Sequence, residues 1–198
     1  KKKNAVFSSF SGYLKGKKPV IFLCRERMCT FMSNPIRLAG VIRESIVDGP
    51  GIRFVVFVQG CPHHCPGCHN PQTHSFEGGT VTDTDDLISK LKANPLLKGI
   101  TISGGEPFCQ PLAAAELAHA AHECGKDVMV YTGYTFEQLL SGNVENAMDL
   151  LKDTDVLVDG RFEQEKKSLL LKFKGSSNQR ILNCKESLKF QKAIEIEL

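Results

Sequence analysis

The sequence predicts an α/β fold built from parallel strands. Three observations predict it. Short β-branched and aromatic runs at 54–58, 99–103, 127–131 and 155–158 read as buried strands. Segments with helical apolar spacing lie between them, and strand, helix, strand implies a right-handed parallel unit. Glycine-rich or acidic clusters follow the strands' C-terminal ends, where α/β folds bind ligands.

Residues 1–31 stand apart. Lys1-Lys2-Lys3 and the stretch to Cys29 hold no steady helical or strand period. The apolar run Val20–Leu23 is too short for a signal peptide and is followed by no small-residue cleavage site before Arg25. Met32 opens the stretch that flows into the rest. The expectation is therefore a non-native or disordered extension over 1–31 and one domain over 32–198, with a genuine basic appendage as the competing reading. Cys24 and Cys29 are one pair, too few for a cluster.

Ile36–Ile46 alternates loosely, as a leading strand or edge hairpin. Asp48-Gly49-Pro50-Gly51 is turn chemistry, with Pro fixing φ and glycine tolerating positive φ. The strand Phe54–Val58 follows, then a loop with three cysteines and a polar loop over 71–79. Hydroxyl and acidic residues over 81–86 predict a helix start. That helix buries Leu87, Ile88 and Leu91 and stops before Pro95. Pro111 opens an alanine-rich helix to Cys124. Its His119 and His122 could share a face but lack a third ligand, so they read as solvated. Asp127–Tyr131 is the third parallel strand. Thr135 caps a helix from Phe136, with Gln138 in its first turn. Asn143–Lys152 predicts another helix, and Asp155–Val158 the next strand. Lys166–Lys174 is a basic and apolar run, Gly175–Arg180 a polar turn, and the tail beyond Cys184 a terminal helix.

Composition excludes more than it selects. The net charge of +3 over 198 residues gives no mandate for nucleic acid or a membrane surface. No apolar run approaches the ~18–20 residues that span a bilayer. Eight cysteines without a secretory signal point to a reducing, cytoplasmic setting.

The chemistry lies in Cys61, Cys65 and Cys68, spaced C-x3-C-x2-C among Pro62, Pro66 and Gly67. Three thiols in a tight loop leave one unpaired, so they make a poor disulfide framework. They make a good cradle for a metal cluster. Iron–sulfur carriers and structural zinc sites both want four ligands. Three cysteines on a 4Fe–4S cluster would leave one iron open to a substrate or cofactor. The competing reading is a zinc site completed by His63, His64 or His69, although His69 directly follows Cys68 and is awkwardly placed to close the tetrahedron. A second motif, Gly104-Gly105-Glu106-Pro107, follows the strand at 99–103. Its glycines allow close backbone approach, and Glu106 could accept hydrogen bonds from an ammonium group. Alone it is a tight βα turn with a capping acid. Cys109 just beyond reads as a buried or half-buried thiol.

C-x3-C-x2-C after a first strand, with GGEP after a later one, resembles the radical S-adenosylmethionine superfamily. DGPGIR (Asp48–Arg53) narrows the resemblance to activases of glycyl-radical enzymes. VLVDGRF (Val156–Phe162) and GSSNQR (Gly175–Arg180) narrow it to the activating proteins of the anaerobic ribonucleoside-triphosphate reductase. The resemblance runs from about Ile36 to about Leu182, most of the chain. It implies an incomplete, TIM-like barrel, and the length beyond Met32 leaves no room for a full barrel of ~250 residues. It implies a 4Fe–4S cluster on Cys61, Cys65 and Cys68 with S-adenosylmethionine on the open iron. The loop 104–106 would meet the methionine amino group, Gly67, Cys68 and His69 would line the cofactor site, and Asp159 and Arg161 would help hold its carboxylate and ribose. DGPGIR would flank the active site. GSSNQR would close over the site, touch the partner, or stand as a simple exposed loop.

The activity so implied is reductive cleavage of S-adenosylmethionine to a 5′-deoxyadenosyl radical, which takes a hydrogen atom from a glycine of the reductase large subunit. Flavodoxin or ferredoxin would deliver the electron. Two departures bear on this. Gly67 stands where many superfamily members carry an aromatic residue, which fits the reductase activases, and no extra cysteine cluster lies between Cys68 and Gly99. The alternatives are an activase of pyruvate formate-lyase or another glycyl-radical enzyme, and a non-enzymatic zinc or iron–sulfur binding module.

Overall fold

Apolar runs without strict alternation ask for strands covered on both faces. In the computed structural model, which describes residues 34–198, they receive them. The extension over 1–31 lies outside the described residues. Seven strands form one sheet in the order β3-β1-β2-β4-β5-β6-β7. They are β1 (Pro35–Ser45), β2 (Arg53–Val58), β3 (Thr80–Asp83), β4 (Gly99–Gly104), β5 (Asp127–Tyr131), β6 (Val156–Asp159) and β7 (Arg180–Asn183). Strands β2, β4, β5 and β6 run parallel, in chain order. The flanking strands pair antiparallel. The α/β class holds, and its sheet is mixed.

Helices α1 (Thr84–Ala93), α2 (Pro111–Glu123), α3 (Phe136–Leu140), α4 (Ala147–Lys152) and α5 (Cys184–Phe190) complete the order. The main core joins alternate strand residues Phe54, Val56, Ile100, Ile102 and Val128 to Leu117, Leu139 and Leu150 of the helices. The intervening strand residues face the other way, where Met129, Val158 and Ile181 form a smaller cluster under Phe173 and Ile196.

Three local expectations shift. Residues 80–83 are β-branched enough to pair with β1, so the helix expected from 81 starts at Thr84. The helix expected from Asn143 starts at Ala147, because Asn146 takes a left-handed conformation with φ of 54°. Arg180–Asn183 is an edge strand, and the terminal helix ends at Phe190 rather than running through the tail. The capping box at Thr135 and Gln138 forms as the sequence indicates.

The DGPGIR turn precedes β2, whereas the cysteines follow it, so the two sit at opposite ends of that strand. The turn folds against the sheet through Arg53, which is fully buried. The Arg53 guanidinium donates to Thr101 Oγ1 at 2.6 Å, Ile100 O at 2.6 Å and Asp127 Oδ1 at 2.6 Å. Thr101 in turn donates to Asp48 O at 2.7 Å. A second polar knot stands at the start of β6. Asp155 accepts from Val128 N at 2.8 Å, meets His122 Nε2 at 2.7 Å and pairs with Lys185. Burial pushes its pKa up, but the bonds from Lys185, His122 and Val128 outweigh this and the net shift is downward.

Two outcomes follow. Arg53→Met leaves Asp127, Thr101 and Ile100 without their partner and costs about 3 kcal/mol, measured as a lower urea midpoint at unchanged slope. The second concerns Asp155, whose folded pKa lies below its unfolded value. The stability it adds is present above the ordinary carboxylate range and is lost as pH falls through the folded pKa. Asp155→Asn is thus less stable than wild type near pH ~7, and the gap closes below about pH 4 in denaturation series at stepped pH.

Candidate functional site

The cysteine loop leaves β2 through Gly60, whose φ is 97°. Its base is stitched by backbone bonds from Gly60 N to Thr73 O at 2.8 Å and from Cys61 N to His74 O at 3.1 Å. Gln59 clamps the far side, donating to Gln72 O and Ser75 O. The loop at 104–107 docks directly beneath. Gly105 N donates to Val58 O at 2.8 Å and Glu106 N to Gly60 O at 2.8 Å. A side chain at Gly105 would collide with the Gly60 carbonyl, and one at Gly104, whose φ is 95°, with Phe57.

Glu106 is 0% exposed and its carboxylate accepts four hydrogen bonds. Oε1 takes Phe108 N at 3.1 Å and Thr132 Oγ1 at 2.9 Å. Oε2 takes Gly133 N at 2.9 Å and His63 Nε2 at 2.8 Å. An ionised carboxylate has about four acceptor positions, so this one is filled by protein. One carboxylate thereby ties the cysteine loop, its own loop and the end of β5 together. Tyr134 meets the His63 ring edge-on, with centroids 4.6 Å apart.

The loops enclose a cavity of about 120 Å³. Cys61, Cys65 and Cys68 all line it, with Gly104, Gly105, Thr132, Gly133, Gly160, Phe162 and Gln179 among the other wall residues. Burial pushes the Cys61 thiol up, and the Glu106 charge adds to this, against backbone N–H groups of His63 and His64. Burial also raises Cys65, against the Phe162 N–H and the nearby Arg161 guanidinium. Asn70 N donates to Cys68 Sγ at 3.4 Å. Each thiol therefore already faces at least one backbone donor, which suits sulfur that must ligate as thiolate. Two buried ring nitrogens on the same wall, His63 Nδ1 and His74 Nε2, have no protein partner. Thiolate-facing donors and orphaned polar edges fit a polar, sulfur-bound group. Among the described residues no trio of His, Cys, Asp or Glu gathers closely enough for a single metal ion. All three thiols face the same cavity.

The other expected site residues divide. Asp159, 1% exposed, holds Phe136 N at 2.7 Å and Arg180 Nε at 3.0 Å, and both its oxygens are engaged away from the cavity. Its strand neighbour Gly160 lines the wall instead. Arg161 is exposed beside Cys65. Gly67, at φ 69°, packs against Gln164. His69 is exposed and tilts over Phe162 at 5.1 Å. GSSNQR closes on the wall: Gln179 accepts from Gly175 N at 2.8 Å and donates to Gly160 O at 3.0 Å, and Asn178 donates to Arg161 O at 2.8 Å. Cys109 is half-buried, its thiol pushed by burial up to about 12. It stands with Glu106 behind the wall rather than among the lining residues. His119 and His122 pair with Asp153, Asp155 and Glu123 at the surface.

Sequence reasoning missed His63 as a buried tether, along with His74, Thr132 and Gln179. His74 had one signal, a histidine within ten residues of the triplet. Gln179 had another, since it lies in GSSNQR, but Thr132 had none, because only the fold brings it to the cavity.

Residues 47–182 match the model of a 4Fe-4S single cluster domain, which places the chain in the iron–sulfur class. The chain is 40% identical over 144 residues to the anaerobic ribonucleoside-triphosphate reductase-activating protein of Salmonella typhimurium, covering 68% of this chain and 90% of that protein. The protein of that name from Escherichia coli K12 is 38% identical over 143 residues, with the same coverage. The one from Enterobacteria phage T4 is 34% identical over 143 residues, covering 68% of this chain and 86% of that protein. The chain belongs to the anaerobic ribonucleoside-triphosphate reductase-activating protein family. Among the described residues no helix is long and apolar enough to cross a membrane.

The Glu106 knot makes a direct prediction. Each carboxylate oxygen accepts from a backbone N–H, so a glutamine amide would set its NH2 against one in either orientation. Glu106→Gln is expected to cost about 2 kcal/mol in anaerobic urea unfolding, despite its matched shape.

Proposed function

We propose that this chain activates an anaerobic ribonucleoside-triphosphate reductase by generating a glycyl radical on its large subunit, through reductive cleavage of S-adenosylmethionine at a 4Fe–4S cluster. The observation that carries the reading is the cavity shared by Cys61, Cys65 and Cys68 with Gly104 and Gly105. The match to a single-cluster 4Fe-4S domain and the relatives' name support it.

In this reading Cys61, Cys65 and Cys68 would hold the cluster and leave one iron for the cofactor. The bound cluster would supply one electron for cleavage of the sulfonium C–S bond, releasing methionine and providing the hydrogen-atom-abstracting chemistry directed at a glycine. The chain's own work is placement. Backbone N–H groups at Cys61, Cys65 and Cys68 offset the thiolate charge. Gly104 and Gly105 admit the amino-acid end of the cofactor against bare backbone. Arg161 offers its guanidinium to the carboxylate. Gly67, Cys68 and His69 border the adenosine end. Asp159 acts behind the wall, anchoring Arg180 and the helix that follows β5, and so fixing Gly160. Glu106 likewise acts by holding loops. The four parallel strands in chain order form the wall of an incomplete TIM-like barrel, the radical S-adenosylmethionine fold, whose open side admits a glycine-bearing loop. Flavodoxin or ferredoxin in the cytoplasm supplies the electron.

Anaerobic reconstitution is the test. The reading expects brown protein with one four-iron cluster per chain, 5′-deoxyadenosine on reduction, and a glycyl-radical resonance after mixing with the reductase large subunit. Cys65→Ala abolishes all three while the chain stays folded by circular dichroism. Colourless zinc-loaded protein without 5′-deoxyadenosine overturns the reading. A radical on pyruvate formate-lyase but none on the reductase overturns the choice of client.

A further inference from the structure

Between the wall residue Phe162 and GSSNQR the chain makes an excursion that the cavity does not use. Its base is tied. Lys167 bridges Ser176, Ser177 N donates to Lys166 O at 2.9 Å, and Lys174 Nζ donates to Gln179 O at 3.0 Å. Phe173 packs against the cluster of Met129, Val158 and Ile181. Between these ties stand Leu169 and Leu170, 92% and 94% exposed. A single exposed leucine needs no reason, but an adjacent pair on a tied loop leaves most of two apolar side chains in water. Residues 166–174 also carry four lysines and no acid. Lys166 pairs with Glu163 at 2.7 Å, whereas Lys167 and Lys172 are exposed and, among the described residues, in no ion pair.

We propose that Leu169 and Leu170 are the anchor by which the reductase large subunit docks, seated in an apolar pocket whose carboxylate-bearing rim meets Lys167 and Lys172. The inference rests on the proposed function and says where its client is held. Position favours the client. Gln164 packs against Gly67 of the cysteine loop and Phe162 lines the cavity, so the excursion leaves the rim only a few residues further on. A protein that inserts a peptide segment into this cavity must rest on the rim around it. Chemistry favours the client over an electron carrier. Electron carriers meet their partners over small interfaces, for which the lysines alone would serve by steering an acidic surface. Bare leucines gain only on entering a dry pocket, as in the apolar core of a longer-lived complex. An anchor outside the cavity also leaves the interior free for the cofactor.

The test uses the full chain carrying one cluster by iron analysis. The double variant Leu169→Ser, Leu170→Ser changes only exposed side chains. Its cluster content, and its 5′-deoxyadenosine formation with dithionite in the absence of the reductase, are expected to match wild type. With the reductase large subunit, the concentration giving half-maximal glycyl-radical formation rises about tenfold and the maximum is retained. The double variant Lys167→Glu, Lys172→Glu raises the same concentration, and the rise shrinks as salt is added. Reduction of the cluster by flavodoxin keeps its wild-type rate in the leucine variant. An unchanged half-maximal concentration in the leucine variant overturns the inference. Slowed reduction by flavodoxin alone then gives the leucines to the electron carrier, and loss of a wild-type dimer in sedimentation gives them to a second copy of this chain. Wild-type protein that holds its cluster but leaves no radical on the reductase overturns the proposed function and the inference with it.

Discussion

The structure around the cavity depends on one buried carboxylate. Glu106 accepts from the cysteine loop, from its own short 3-10 turn and from two residues at the end of β5. A buried charge is costly unless it is fully hydrogen-bonded. Here four donors compensate it, and they come from three segments that backbone bonds also draw together. The arrangement is therefore close to all-or-none. Removing one donor exposes the rest of the penalty, while keeping all four fixes three loops relative to the sheet. The two glycines before Glu106 belong to the same constraint, because a side chain at Gly105 would strike the Gly60 carbonyl and one at Gly104 would strike Phe57.

The parallel strands were legible because burial on both faces leaves a plain mark, the unbroken β-branched run of β2 and its neighbours. The cysteine spacing and the glycine pair were legible because each is a short motif with a local reason. The edge strands were not. Thr80–Asp83 and Arg180–Asn183 are four residues each and acquire their identity from a partner far along the chain. Side-chain direction was the other hidden quantity. Asp159 and Arg161 read as one pair facing the mouth, as residues two apart on a strand would, but β6 ends at Asp159 and Arg161 no longer follows its alternation. Asp159 turns to the helices and meets Arg180, while Arg161 lies past the strand's end beside Cys65.

GSSNQR holds the chain past the end of β6. The loop meets the wall residues 160–163 almost wholly through backbone groups. Gln179 and Asn178 bond the carbonyls of Gly160 and Arg161, and Ser176 Oγ accepts from Glu163 N. Such contacts fix a path without constraining the side chains along it. The Arg161 guanidinium stays exposed, yet its main chain is anchored. A loop held in this way can present a charge to a ligand at little entropic cost, since the backbone is already ordered.

The same logic separates two kinds of polar residue in this chain. Arg53, Asp155 and Asp159 are enclosed by partners supplied by the fold, and their bonding is complete without any ligand. His63 and His74 are enclosed too, yet each keeps a buried nitrogen without a protein partner on the wall that carries the thiols. Complete bonding marks a residue that serves the fold. Incomplete bonding at the same depth is tolerated where something else completes it. A carboxylate and an imidazole in contact thus differ: the bonding of Glu106 is filled by protein, whereas His63 keeps one buried nitrogen without a protein partner.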